Sequence, residues 1–391
     1  MFSSRVSADL TPNRLSRAVE RCRADGTPFI DLTVSNPTAA AFRYPPQLLL
    51  DEHNAQASLT YAPQPLGLPA ARAAVAADYA RRGLDVDPQR VVLTTGTSEA
   101  YSLLFKLLCD PGDEILIPRP SYPLFEHLAQ LDAVRARFYD TDYHGAWTID
   151  MPGVEQAITD RTRAMLVVSP NNPTGATLKL DELERLAAAC GPRGIAIIAD
   201  EVFADYPLDA GPSCQIARVA ERRTGLAFSL GGLSKSVGLP QVKLGWIVVS
   251  GDDALVRAAL ERLELACDTY LSVATPVQLA AGTLLEKGSV VREQIQARVA
   301  ANYRHARRAA EGTACTVLPA EGGWYAVLSV PTYQPEEDLV VELLEQHRVL
   351  AHPGYFFDFA RESFLVVSLL AAERDFTDGF ARITRHFDCR A

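Results

Sequence analysis

Residues 226–250 read LAFSLGGLSKSVGLPQVKLGWIVVS. Two apolar runs, LAFSL (226–230) and WIVVS (246–250), bracket a stretch of small residues that carries Lys235. Short runs of this kind are expected of strands buried in a sheet. Lys235 then falls just past a strand end. An amine held in a cleft can form a Schiff base with a carbonyl, which few other side chains can do. Taken alone, a lysine in such a place is more often a solvated loop residue, so the rest of the chain must decide.

Working outward, similar runs recur at VVLTT (91–95), EILIP (114–118), AMLVVSP (164–170) and IAIIAD (195–200). Between them the spacing predicts helices. Ala100, Leu103, Leu104, Leu107 and Leu108 recur at helical intervals within Ser98–Leu108, and a second helix is expected over about Leu180–Cys190. Strands alternating with helices imply an α/β fold, a mostly parallel sheet covered by helices on both faces. Past about residue 276 the texture changes. An Ala/Arg/Glu-rich helical stretch to about Ala310 precedes WYAVLSV, a helix over Glu336–His347, FLVVSLL and a last helix, together a smaller α/β domain. The Pro-rich segment Asn36–Pro46 marks a second joint. The expected division is a large domain over 45–300 and a small one built from 1–44 with 301–391.

A chain of 391 residues allows two such domains. Its net charge of −10 argues against nucleic acid or an anionic membrane as partner, both of which want a basic surface. A phosphorylated cofactor stays open, because phosphate sites are built from local amides and one or two cations. The cysteines (22, 109, 190, 214, 267, 315, 389) are scattered without CxxC or a Cys/His cluster, which suits a reduced cytoplasmic protein with neither a disulfide framework nor a metal. The N-terminal MFSSRVSADLTPNRL has no apolar h-region, so export is not expected.

Four further stretches carry chemistry. TTGTSEA (94–100) runs from a strand through Gly96 into an amphipathic helix. Free amides there make an anion site to which Thr97 and Ser98 add hydroxyls, or Ser98 is an ordinary N-cap. SPNNPTG (169–175) is a rigid turn that either presents an amide side chain at the sheet's ligand-binding edge or merely turns the chain. Asp200 closes a buried strand and needs a cation or a donor, from the protein or from a ligand. Tyr122, in PSYP (120–123), can cover a flat ligand or sit in the core.

In this order and spacing, SPNNPTG, DEVF (200–203), Ser234–Lys235, EGGWYA (321–326) and HPGYFF (352–357) make the chain resemble the class I/II aminotransferases, pyridoxal-phosphate enzymes of fold type I, over nearly its whole length. The resemblance implies pyridoxal 5'-phosphate bound to Lys235, which would also carry the proton in the 1,3-shift. Asp200 would pair with the pyridinium nitrogen, keeping the ring an electron sink. Asn172 would donate to the phenolic oxygen and Tyr122 would stack on the ring. Thr97, Ser98, Ser234 and Lys243 would hold the phosphate. Asn36 would contact substrate. Tyr61, before PLGLPAAR, matches a tyrosine that reaches the neighbouring subunit's phosphate, implying a homodimer with shared sites.

Departures from the family pattern are equally informative. Phe203 replaces a tyrosine that donates to the phenolic oxygen, so that donor is expected to be lost unless Tyr206 supplies the hydroxyl. Lys243 replaces an arginine, a point charge in place of a fork. Gly232 replaces a serine. Val366 stands where relatives carry the arginine that clamps the α-carboxylate, and CDTYLSVATPVQ (267–278) has no arginine for a second carboxylate. Either another arginine substitutes, with Arg43 and Arg361 as candidates, or the substrate is an amine or an unusual amino acid held without the standard clamp. The function expected is transamination between an amino donor, an amino acid other than a dicarboxylic one, and a 2-oxo acid. A lyase, decarboxylase or synthase on the same fold is the alternative, followed by a cofactor-binding regulator. A nicotinamide dehydrogenase is disfavoured because no GxGxxG opens a βαβ unit.

Overall fold

The computed structural model describes residues 3–7, 11–48, 57–208 and 216–388; Cys214 and Cys389 lie outside them. After a short strand β1 (Ile30–Asp31), the chain builds β2 (Val91–Thr94), β3 (Glu114–Arg119), β4 (Arg135–Tyr143), β5 (Trp147–Ile149), β6 (Thr162–Val168), β7 (Ala196–Asp200), β8 (Leu226–Gly232) and β9 (Gly245–Gly251). These eight form one sheet in the order β2-β9-β8-β7-β6-β3-β4-β5. The run from β8 to β4 is parallel, whereas β9 is antiparallel to both its neighbours and β5 to β4. Side chains of the inner strands face two cores. Ile198, Phe228 and Leu166 pack with Leu104 and Phe105 of the helix Thr97–Leu108 on one side. Met165, Ile197 and Ala227 pack with Leu183 and Leu186 of the helix Leu180–Cys190 on the other. The uninterrupted apolar runs follow from that double burial.

The remainder forms a second lobe. β10 (Thr316–Val317), β11 (Tyr325–Ser329) and β14 (Phe364–Ser368) lie side by side antiparallel, with β13 (His352–Pro353) on the far edge of β14. The N-terminal arm docks on this lobe. β1 pairs in parallel with β12 (Val349–Leu350), and Arg14 and Arg21 of the first helix meet Asp338 and Glu345 of the helix Glu336–His347. Ser368 is tied to the arm through its amide on the Leu32 carbonyl and its hydroxyl on that of Val34.

The helical stretch expected to run unbroken from 276 is two helices, Thr275–Lys287 and Ser289–Ala310, parted at Gly288. A Cβ there would sit 2.3 Å from the Leu284 carbonyl and 2.8 Å from Val237, so the chain turns where only a glycine fits. Residue 300, the expected domain boundary, falls inside the second of these helices.

Candidate active site

The C-terminal ends of β7 and β8 set the two central charges. Lys235 is the third residue of a one-turn helix, Leu233–Ser236, that follows β8. Its carbonyl accepts the Tyr206 hydroxyl at 2.5 Å, and the Ser236 carbonyl accepts Nε of Arg292 at 2.9 Å. Lys235 Nζ lies 5.0 Å from the centroid of the Trp324 ring and 5.8 Å from that of Phe203. Those two rings meet edge to face at 5.3 Å, and Trp324 meets Tyr206 in the same way. Burial lowers the Lys235 pKa and Asp200 partly opposes it, so more of the amine is neutral and nucleophilic.

Asp200 ends β7 and is 6% exposed. Its Oδ2 accepts the Tyr101 hydroxyl at 2.7 Å and its Oδ1 accepts the Val202 amide at 3.1 Å. Burial raises the Asp200 pKa against Tyr101, Val202 and Lys235, which all lower it. Both ions of the site are therefore driven toward neutrality by desolvation, and their mutual attraction does not offset it. Each suits a ligand that supplies its missing partner.

The turn after β6 contains two buried asparagines with different roles. Asn171 is occupied: its carbonyl accepts the Thr174 amide and hydroxyl, and its Nδ2 donates to the Pro120 carbonyl. Asn172, equally buried, has an Oδ1 with no partner. A buried polar atom left unpaired costs about 1–3 kcal/mol and marks a site awaiting a ligand or water.

The helix Thr97–Leu108 is capped by Gly96, without a side-chain cap bond. Ser98 is therefore not the N-cap, and it is exposed at the second helical position. Thr97 and Ser98 occupy the first turn, whose amides have no intrahelical acceptor. Close backbone approach shapes this corner. A Cβ on Gly245 would lie 2.8 Å from Gly96 Cα, and one on Gly232 would lie 3.2 Å from Gly245 Cα. A Cβ on Gly96 would lie 3.9 Å from Lys243 Nζ, so the lysine amine reaches the mouth of the turn. Ser234 is half-buried one residue before Lys235.

Other expected residues lie further out. Tyr122 is 44% exposed and stands edge-on to Phe125 at 6.3 Å. It acts on the titration of Tyr325, a ring that also faces Phe203 at 6.5 Å. Tyr61 is 80% exposed and borders a surface cavity with Gln64, Glu99 and Tyr270. Asn36 is exposed and caps the turn Pro37–Ala39, accepting the amide and hydroxyl of Thr38. Val366 is fully buried, paired in register with Val327 and His352. Arg43 borders a surface cavity beside Val290 and Gln294, and Arg361 lies over the Phe364 ring. Among the described residues, no contact joins either arginine to Lys235. Tyr206 gives its hydroxyl to the Lys235 carbonyl, which speaks against the alternative that it supplies the hydroxyl missing at Phe203.

The class I and II aminotransferase family model matches residues 27–375. The chain belongs to this family. Glutamate-pyruvate aminotransferase AlaA of Escherichia coli is 29% identical over 271 residues, covering 69% of this chain and 66% of that protein, so the match spans just under two thirds of that relative. Alanine aminotransferase of Mycobacterium tuberculosis is 27% identical over 93% of this chain and 86% of its own length. Among solved structures, the alanine aminotransferase of Pyrococcus furiosus superposes with a TM-score of 0.88 at 24% identity, covering 99% of each chain. The fold is accordingly fold type I, and the family is pyridoxal-phosphate-dependent.

The residues of the cleft fit that cofactor. An amine with lowered pKa, a desolvated carboxylate and a glycine-lined helix start with a lysine at its mouth match its aldehyde, ring nitrogen and phosphate. Sequence reading missed Tyr101, Trp324 and Arg292 as parts of this site. Tyr101 sits among leucines on the apolar face of its helix, so it reads as core. It also missed a cluster on the second lobe, where ligating atoms of Glu342, His347 and His386 lie within 4.8 Å of one another. The last two are 39 residues apart, and only the fold joins them.

Proposed function

We propose that this protein exchanges an amino group between an amino acid other than a dicarboxylic one and a 2-oxo acid, with pyridoxal phosphate bound to Lys235. The observation that carries the reading is Lys235 itself, a half-buried amine of lowered pKa beside a desolvated carboxylate. The bound cofactor supplies an electron sink for the substrate's Cα. Lys235 holds it and, once free, moves the proton. Asp200 answers the pyridine nitrogen, Asn172 the phenolic oxygen, and Tyr122 covers the ring. Thr97, Ser98, Ser234 and Lys243 hold the phosphate. Tyr61 completes a second subunit's site in a cytoplasmic homodimer, a role consistent with a tyrosine 80% exposed in one chain.

The large domain is taken as 45–300 and the small domain as the arm with 301–391. Asn36 contacts the substrate in the absence of an arginine at position 366. It lies two residues beyond Val34, whose carbonyl is bonded to Ser368 on the strand that carries Val366. Names among the relatives favour alanine as the first donor to try.

The test is a single-turnover screen of donors, including amines without an α-carboxylate. Loss of the cofactor's absorbance with one equivalent of 2-oxo acid is the expected result. Release of CO2 or ammonia while that absorbance returns overturns the reading.

A further inference from the structure

We propose that Tyr101 is a positioning residue that keeps Asp200 ionised and aimed at the pyridine nitrogen of the cofactor. The inference rests on the reading of Asp200 just given. Tyr101 is 2% exposed, and its hydroxyl donates to Asp200 Oδ2 at 2.7 Å. Its ring is fixed by Phe105 at 5.9 Å and by Phe125, edge-on, at 5.3 Å. Packing alone asks nothing of the hydroxyl, and an apolar side chain would fill the same place. The hydroxyl's work is electrostatic.

Three groups meet the Asp200 carboxylate: Tyr101 from the helix Thr97–Leu108, the Val202 amide from its own segment, and Lys235 from the helix after β8. With Lys235 bound to a cofactor, a free ammonium would no longer be available to Asp200. Two hydrogen bonds then remain to keep a dry carboxylate charged. The Val202 bond comes from the backbone and is fixed by the fold. Among the described residues the Tyr101 bond is the one side-chain hydrogen bond to it, and burial pushes the phenol pKa well above its usual value, so it acts as a donor only. A carboxylate kept ionised can act as counter-ion to a protonated ring nitrogen, whereas a neutral carboxyl cannot.

Position adds a second consequence. Tyr101 is four residues after Thr97, on the same face of one helix. The first turn of that helix is the proposed phosphate grip. One rigid element would therefore hold the phosphate directly and the nitrogen end of the ring through Asp200. Displacing the helix would change both together.

The experiment compares Tyr101→Phe with the unsubstituted protein in two states. In the cofactor-free protein, carbon NMR of labelled aspartate reads the Asp200 titration. The substitution is expected to raise that pKa by about one to two units, the worth of one hydrogen bond to a charged group. In protein loaded with 15N-labelled pyridoxal phosphate, the nitrogen shift is expected to move toward the unprotonated value, with the unfolding midpoint nearly unchanged. Site-specific 3-fluorotyrosine at 101, a stronger donor, moves the titration the opposite way and serves if Tyr101→Phe does not fold. An Asp200 titration indifferent to both changes overturns the inference. Asp200→Asn separates the two levels. If it leaves the nitrogen shift unmoved, the reading of Asp200 fails. If it moves the shift and Tyr101→Phe does not, only the role of Tyr101 fails.

Discussion

The hydroxyl of Tyr206 donates to the carbonyl oxygen of Lys235 at 2.5 Å, from a side chain with no solvent exposure. The backbone that carries the reactive amine is thereby pinned from below, with Trp324 edge-on to the same tyrosine at 5.2 Å. Arg292 does the same for the next carbonyl and is itself held by Asp78 at 3.2 Å. Tyr206→Phe keeps the ring and removes the pin. It should cost about 1–2 kcal/mol in urea unfolding and speed loss of cofactor on dialysis. A variant that unfolds and releases cofactor like the parent would show that the bond is incidental.

Because Tyr206 is committed to that carbonyl, its hydroxyl is not free to replace the one absent at Phe203. Phe203 is 4% exposed and packs edge-on against Trp324 and Tyr325. Phe203→Tyr adds a hydroxyl donor to a ring that has Lys235 Nζ over it, 5.8 Å from the centroid. A donor favours the anionic form of a phenolic oxygen beside it. The pH midpoint of the bound cofactor's absorbance should therefore fall by about one unit, the scale of one hydrogen bond. Titration of the holoenzyme from pH 5 to 10 measures this, and a midpoint that stays or rises contradicts it.

Glu201 makes a pH prediction of its own. Burial raises its pKa to about 7, Arg82 opposes the rise, and Asp200 adds to it. A carboxyl raised in the folded state binds a proton there that the unfolded chain has already lost. Its stabilising contribution is complete below the ordinary value of 4.5 and disappears as pH rises through about 7. Glu201→Gln removes this penalty. At pH 8 the variant should be more stable than the parent by about 1–3 kcal/mol, shrinking toward zero at pH 4. Equal denaturation midpoints at both pH values would show that Glu201 stays charged against Arg82.

The fold was legible because its central strands are buried on both faces, which writes them as continuous apolar runs such as IAIIAD and WIVVS. Asp200 was legible because it closes such a run, and Lys235 because it follows one and stands in order with the other motifs. What the sequence concealed depends on contacts between distant segments. Tyr101 and Asp200 are 99 residues apart, and Arg292 reaches Ser236 across 56. The difference between Asn171 and Asn172 rested on the resemblance alone, since only side-chain geometry shows which of the two is occupied. Gly288 was read as helix because a single glycine in a helical pattern is tolerated, and the clash with Val237 that excludes other residues is tertiary.

Gly232 tests whether the missing phosphate-binding serine can simply be restored. Its backbone is extended, φ 176°, so a side chain meets no conformational penalty there. Space is the constraint. A Cβ would stand 3.2 Å from both Gly245 Cα and the Leu244 carbonyl oxygen, and those atoms belong to backbone that cannot swing aside. Gly245 in turn cannot retreat, because its own Cβ position is 2.8 Å from Gly96 Cα at the helix start. The strands β8 and β9 would have to part where they pair Gly232 with Gly245. Gly232→Ser should therefore cost about 1–3 kcal/mol, the scale of overpacking, and weaken cofactor binding rather than strengthen it. Paired measurements of unfolding and of pyridoxal phosphate affinity decide the matter. Tighter binding at unchanged stability would mean that the corner has room the geometry denies.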